Sequence, residues 1–144
     1  ISNQLIFGAE YDFFEREDGY DALCKTYNLN FKETMDMDIG LKYQALNQGK
    51  VDVMTIFTTD GQLSNDQIVV LEDDQHFYPS YMCGNVVRSD VLKKHPELKK
   101  VLKKLSYKIN DLQMAKLNDL VESKGKEPKE VAKSYLKKLK LLKE

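Results

Sequence analysis

An α/β fold, with a parallel-sheet lobe followed by a helical half, is what this sequence predicts, on three observations. Strand and helix patterns alternate through the first half, and from Ser89 onward the chain reads as helices only. Four short segments with a common bias then fall at or just past the ends of the expected strands, where an open α/β sheet carries its ligand-contacting loops. They are Phe7-Gly8-Ala9-Glu10 running to Arg16-Glu17-Asp18-Gly19, Met37 to Tyr43, Thr58-Thr59-Asp60-Gly61, and Phe77-Tyr78-Pro79-Ser80-Tyr81.

In chain order, Leu5-Ile6-Phe7 is a short apolar run closed by Gly8, and Tyr20, Leu23, Cys24 and Tyr27 recur at helical spacing. Leu29-Asn30-Phe31 starts a second strand. A helix from about Asp38 to Asn47 ends at Gly49, the usual C-terminal position, and Val51 to Phe57 is a third, nearly continuous apolar strand. This β-α-β-α-β order implies parallel strands with right-handed crossovers. Ile68-Val69-Val70-Leu71 reads as a fourth strand before the acidic turn Glu72-Asp73-Asp74, and Tyr81 to Val87 as an extended segment leaving the lobe. Ser89 can cap the first later helix, and Leu98, Val101, Leu102 and Leu105 stripe the second. A third spans roughly Asp111 to Val121, and Pro128 suits the first turn of a fourth.

With 144 residues, 42% of them hydrophobic, the chain can bury one core and amounts to one domain or one lobe of a larger one. No run approaches the roughly 20 apolar residues of a membrane span. The chain opens Ile1-Ser2-Asn3-Gln4, without Met or a signal-type apolar region, so a piece of a longer protein is expected. Charge is lopsided: residues 1–87 hold 5 Lys/Arg against 15 Asp/Glu, and residues 88–144 hold 17 against 8. A basic half raises nucleic acid as a partner. Yet Lys129, Lys133, Lys137 and Lys140 lie opposite a stripe of Val131, Ala132, Tyr135, Leu136 and Leu139, which describes a solvated helix face, with no aromatic stacking platform beside it. Cys24 and Cys83 match no metal spacing and read as buried thiols, and His76 and His95 are isolated, so no metal or other cofactor is expected.

Three parallel strands end on one side of their sheet, so Glu10–Arg16, Asp36–Asp38 and Phe57–Gly61 should converge at one crevice. Arg16 could grip a carboxylate bidentately, or form a surface ion pair with Glu15 or Asp18. Phe57 and Tyr81 read alone are packing residues; with Arg16 they suggest two faces that hold a quaternary ammonium, worth roughly 0.5 to 2 kcal/mol per face. Two enzymatic alternatives are weaker. Asp36-Met37-Asp38 resembles a phosphoryl-transfer loop, but Lys32-Glu33-Thr34 before it is polar where that loop follows an apolar strand. Thr58-Thr59-Asp60-Gly61 offers a hydroxyl and a carboxylate, with no evident triad partner.

From Leu5 to about Leu142 the chain resembles the solute-binding proteins of ABC importers for glycine betaine, choline, carnitine and related quaternary amines. The matching pieces are Glu10–Gly19, Met37–Tyr43, Gly49-Lys50-Val51-Asp52-Val53, Thr59-Asp60-Gly61, Leu71-Glu72-Asp73-Asp74 with Phe77–Tyr81, and Pro128-Lys129-Glu130-Val131-Ala132. The resemblance implies a type II periplasmic-binding-protein-like fold, two lobes closing on a ligand: here the second lobe over 1–80, then the hinge return and C-terminal half of the first lobe over 81–144. It puts Arg16 on a ligand carboxylate, Phe57 and Tyr81 in an aromatic cage, and Glu10 and Thr58 among the ligand-binding residues, other cage members lying outside this stretch. Many relatives carry Tyr-Ser-Thr-Asp where this chain has Phe57-Thr58-Thr59-Asp60. With Ser80 to Gly84, that departure is similar to the branch importing ergothioneine, a trimethylated histidine thione whose ring Glu10 would hydrogen-bond. In that branch the domain follows a fused permease, itself paired with an ATPase, which implies an extracytoplasmic receptor tethered to the membrane and no enzyme. The rival is a ligand-sensing domain of a regulator, which shares the fold. A lobe lacking half its residues is also expected to exchange elements between copies.

Overall fold

The structure is a computed structural model and describes residues 1–64, 68–78 and 82–142. Two compact units make up the chain: Ile1–Ile56 with Leu71–Pro79, and Phe57–Val70 with Ser80–Glu144.

The first unit is an α/β layer. Strand β1 (Ile6–Ala9) is central, flanked by β2 (Glu33–Asp36) and β3 (Val53–Met54), with both neighbours parallel. Phe7 pairs with Thr34 on one side and Val53 on the other, and Gly8 with Met35 and Met54. Helices α1 (Tyr11–Glu15) and α2 (Tyr20–Tyr27) link β1 to β2, and α3 (Lys42–Asn47) links β2 to β3. Phe7, 2% exposed, is the packing centre. The rings of Phe31, Tyr20, Phe13 and Phe14 stand 4.9, 5.2, 6.2 and 6.3 Å from it, the spacing at which aromatic pairs attract beyond their buried area. Val51 and, from α3, Tyr43 and Ala45 are buried as well.

The predicted parallel sheet is present, with three differences. The second strand starts at Glu33, because Leu29 to Phe31 form the exit of α2: Asn28 is left-handed, the Leu29 N–H donates to the Cys24 carbonyl, and Phe31 is apolar in order to pack on Phe7. The strand itself is polar because it is the sheet edge, its residues exposed except half-buried Met35. The third strand is short, although Asp52 N–H to Ile6 O and Thr55 N–H to Gly8 O extend its ladder. Residues 68–71 are not a strand: Val69, Val70 and Leu71 are exposed, since an apolar run becomes a strand only beside a partner edge. Gly49 ends α3 as expected, at φ +66°, where a side chain would be strained.

The second unit is helical. It contains α4 (Ser89–Lys94), α5 (Glu97–Leu102), a 3₁₀ turn at Lys103–Leu105, α6 (Asp111–Glu122) and α7 (Pro128–Lys138). Ser89 is the first residue of α4 rather than its cap; Arg88 occupies the cap position, with no side-chain cap bond. Asn110 and Gln113 form a reciprocal capping box on α6 (2.9 and 3.0 Å), and Pro128 opens α7. The expected α7 stripe holds at buried Val131 and half-buried Tyr135, Leu136 and Leu139, but Ala132 is exposed; the four lysines face solvent. The α5 stripe holds only at half-buried Leu98 and Leu102, since Val101 and Leu105 are exposed. Cys24 is half-buried as expected, but Cys83 is exposed, in a segment without regular structure.

Candidate functional site

Parallel strands aim their carboxyl ends at one edge, and in the first unit that edge carries Glu10, Asp36 and Asp38. Glu10 follows β1 and stands at the cap position of α1. Its Oε2 accepts the Thr55 hydroxyl at 3.3 Å, from just past β3. Its Oε1 is buried and has no hydrogen-bond partner among the described residues. Such an acceptor costs roughly 1–3 kcal/mol until a donor reaches it. Asp38 is committed differently: its carboxylate accepts the Gly40 N–H at 2.8 Å and caps the 3₁₀ turn Ile39–Leu41. Its capping explains the carboxylate beside Asp36 without invoking phosphoryl transfer. Beside this edge lies a shallow cleft of about 330 Å³ lined by Tyr11, Phe14, Thr34 and Asp36.

Arg16 follows α1, with its guanidinium forked onto Asp18: Nε to Oδ1 at 2.7 Å and Nη2 to Oδ2 at 2.6 Å. This is the surface ion pair that sequence reading held beside the carboxylate grip. The hydrogen bond from Arg16 keeps the Asp18 carboxyl below its ordinary value.

Phe57 and Thr58 open the second unit's segment 57–64. Phe57 is 40% exposed, and its N–H donates to Asp60 Oδ2 at 3.2 Å, while the Asp60 N–H returns to the Phe57 carbonyl at 2.9 Å. Thr58 Oγ1 donates to Asp111 Oδ2 at 2.7 Å, Asn118 Nδ2 donates to the Thr59 carbonyl at 2.7 Å, and the Gly61 N–H donates to Glu122 Oε2 at 3.3 Å. The segment is thus strapped along α6. A Cβ on Gly61 would come within 2.5 to 2.8 Å of the α6 backbone at Asn118 and Asp119, so only glycine fits there. Sequence reading missed this strap; the legible trace was Asp and Asn recurring on α6 beside a turn that needs anchors. Tyr81 lies outside the described residues, as do Pro79 and Ser80.

The approach to Tyr81 is organised by one carboxylate. Asp73 Oδ1 accepts the Tyr27 hydroxyl and the Phe77 N–H (2.9 Å), and Oδ2 accepts the Tyr78 N–H (2.9 Å). The hydrogen bond from Tyr27 is the main reason Asp73 ionises below its ordinary value. Burial, and then the Asp73 bond, push the Tyr27 phenol up. Among the described residues no group of three or more His, Cys, Asp and Glu could hold a metal ion, and no helix is long and apolar enough to cross a membrane.

The first unit thus sets strand-end carboxylates and an arginine on a parallel α/β layer, and the second unit is helical. Residues 1–138 match the substrate-binding domain of the ABC-type glycine betaine transport system, and the chain belongs to that family. It is 45% identical over 138 residues to the ergothioneine transport permease/ergothioneine binding protein EgtU of Helicobacter pylori strain G27, covering 96% of this chain and 25% of that protein. It is 40% identical over 139 residues to the carnitine transport binding protein OpuCC of Listeria monocytogenes, covering 96% and 45%. A solved glycine betaine/carnitine/choline ABC transporter protein superposes with a TM-score of 0.74 at 40% identity, over 95% of this chain and 50% of that one. The apo form of YehZ from Escherichia coli superposes at 0.62 and 25% identity, over 94% and 50%. The chain spans half or less of each of these relatives, and the type II binding-protein-like fold is confirmed as a portion of theirs.

Proposed function

We propose that this chain captures a trimethylammonium compound, ergothioneine ahead of the zwitterions glycine betaine and carnitine or the cation choline, and delivers it to an ABC permease carried on the same polypeptide. The reading places the domain outside the cytoplasm, tethered to the membrane, with an ATPase completing the transporter. The lobe assignment belongs to the same proposal: residues 1–80 as the second lobe and 81–144 as the hinge return and part of the first. Segment 57–70, which packs with the helical unit, is where that boundary is most open to test.

The observation that carries the reading is Glu10 Oε1, a buried acceptor with no donor among the described residues at the carboxyl end of β1. Ergothioneine brings ring N–H groups to such an acceptor, and glycine betaine has none. In this proposal Arg16 takes the ligand carboxylate, displacing Asp18; Phe57 and Tyr81 face the trimethylammonium group; and Thr58, fixed by Asp111, lines the same opening. Likeness to EgtU supports the choice of ligand, and the likeness to OpuCC supports the shared zwitterion chemistry.

Calorimetry on the natural polypeptide that carries this chain, with ergothioneine, glycine betaine, carnitine and choline, tests the assignment. Ergothioneine should bind most tightly and choline, which lacks a carboxylate, most weakly. Arg16→Ala should lower zwitterion affinity by roughly 2 kcal/mol, about 30-fold, as for a lost charged hydrogen-bond pair. Choline binding as tightly as the zwitterions would remove Arg16 from its role.

A further inference from the structure

Glu10 and Thr55 meet because two parallel strands end side by side. Glu10 directly follows β1 and Thr55 directly follows β3, and the Thr55 N–H donates to the Gly8 carbonyl at 3.3 Å, so the ladder itself sets both residues at one edge. The Glu10 backbone is held from the other direction, its carbonyl accepting the Phe13 N–H at 3.0 Å in the first turn of α1. The Thr55 hydroxyl gives its single proton to Glu10 Oε2 at 3.3 Å. All of these groups belong to the first compact unit. A carboxylate has two oxygens and ordinarily matches a forked donor, two parallel N–H groups at once. Here one oxygen is taken, and buried Oε1 is the one left without a hydrogen-bond partner among the described residues. The carboxylate therefore offers one acceptor, in one direction.

We infer that Thr55 is a specificity-determining residue that acts through Glu10: it holds the carboxylate so that a single oxygen is presented, and thereby selects ligands that bring one N–H to it rather than a forked pair. The two N–H groups of an imidazole-thione ring flank the thione carbon and point apart, so one carboxylate oxygen meets one of them. A guanidinium presents two parallel N–H groups and finds only half of its match once Oε2 is engaged. Thr55 does not touch ligand in this scheme and is a positioning residue. The inference rests on the ring N–H contact proposed for Glu10, and one readout is independent of that contact.

The test uses Thr55→Val, Thr55→Ala, Thr55→Ser and the Glu10→Gln/Thr55→Val double variant of the natural polypeptide. The probes are ergothioneine, glycine betaine and the trimethylammonium betaine of arginine, whose guanidinium carries the fork. Thr55→Val keeps the branched shape and the backbone bond to Gly8, and Thr55→Ala serves if the valine variant does not fold. Loss of the hydroxyl should weaken ergothioneine about three- to tenfold, the scale of one hydrogen bond, and leave glycine betaine nearly unchanged. Thr55→Ser keeps a donor and should restore most of the loss. The arginine betaine should hold or gain affinity in Thr55→Val, because both oxygens of Glu10 are then open to its fork. The double variant should lose no more ergothioneine affinity than the worse single, as expected of one shared contact. Infrared spectra of the ligand-free protein with isotope-labelled glutamate give the independent readout: Glu10→Gln identifies the Glu10 carboxylate band, which Thr55→Val should shift and Thr55→Ser should not. Equal losses for all three probes would overturn the assignment, as would a carboxylate band indifferent to Thr55→Val. A parent that does not prefer ergothioneine to glycine betaine sinks the ring N–H reading instead, and the infrared band then decides whether Thr55 holds Glu10.

Discussion

Arg16 and Glu10 sit in contrasting electrostatic situations, and the contrast sets what each substitution should do. The Arg16–Asp18 pair is solvated on both sides, with side chains 44% and 60% exposed, and exposed pairs contribute little, typically about 0.2–1 kcal/mol. On the proposed reading a ligand carboxylate would displace Asp18 at small cost, so Asp18→Asn should change zwitterion affinity less than about fivefold, far below the loss expected for Arg16→Ala. A titration calorimetry series on both variants checks the ranking. Glu10 Oε1 is buried, so Glu10→Gln, which replaces one acceptor by a donor, should penalise ergothioneine by about tenfold or more and leave glycine betaine nearly unchanged; equal losses for both would argue against a ring N–H contact. The Tyr20 phenol gives a test that needs no ligand. Burial, and secondarily the Cys24 thiol beside it, push it up to about 12 from its ordinary 10. The neutral form is the one favoured by folding, so the contribution to stability is complete below pH 10 and disappears as pH climbs toward 12. Absorbance titration should show a late-ionising tyrosine phase, and Tyr20→Phe should diminish it, leaving the part that belongs to other raised phenols such as Tyr27. Little of this was legible beforehand. Its guanidinium chemistry made Arg16 a candidate and the family resemblance added Glu10, but which Glu10 oxygen has a partner depends on Thr55, which is 45 residues away in sequence.

At the scale of elements, local patterns foretold the regular pieces and failed where tertiary partners decide. Pro128 and Gly49 marked helix boundaries, because φ preference and the missing proline N–H act within one turn. The polarity of Lys32-Glu33-Thr34 told against a phosphoryl-transfer loop, yet Glu33–Asp36 is a strand, since an edge strand needs only one hydrogen-bonded neighbour and keeps its other side in water. Polarity was thus a poor reason to discount the loop after it; the capping role of Asp38 is a better one. The strap of residues 57–64 along α6 left only a faint trace in the sequence, since none of its anchors, Asp111, Asn118 and Glu122, lies within 50 residues of its partner. It yields a sharp expectation for Gly61→Ala. The added methyl meets helix backbone, which cannot rotate away, so overpacking should destabilise the second unit by about 1–3 kcal/mol. Denaturant unfolding followed by circular dichroism would show it, and a Gly61→Ala protein as stable as its parent would mean that the segment is not seated on α6. Thr58→Val keeps the shape and removes only the bond to Asp111, so it should cost about 1 kcal/mol.

Across the whole chain, acidic and basic residues separate at about residue 88, and the two compact units share the sequence unevenly, with segments 57–70 and 71–79 belonging to different ones. The chain passes from one unit to the other after residues 56, 70 and 79. The crossings also carry exposed apolar residues. Val69 is 81% exposed, Leu71 77%, Met82 75% and Val86 fully so. Runs of β-branched residues left without a sheet partner are templates for pairing with another chain. In the solved relatives the matched region makes up half of a longer chain. Alone in solution, the 144-residue chain should pair with itself. Sedimentation velocity over a range of concentrations should show a mass rising above 16.7 kDa, and replacing Val69 and Leu71 by Lys together should return the chain to a monomer without loss of helix content. Lysine works here because a charged side chain at an unpaired edge must be desolvated before a second strand can dock. A chain that sediments as a well-folded monomer at every concentration would show that the crossing segments are satisfied within one copy.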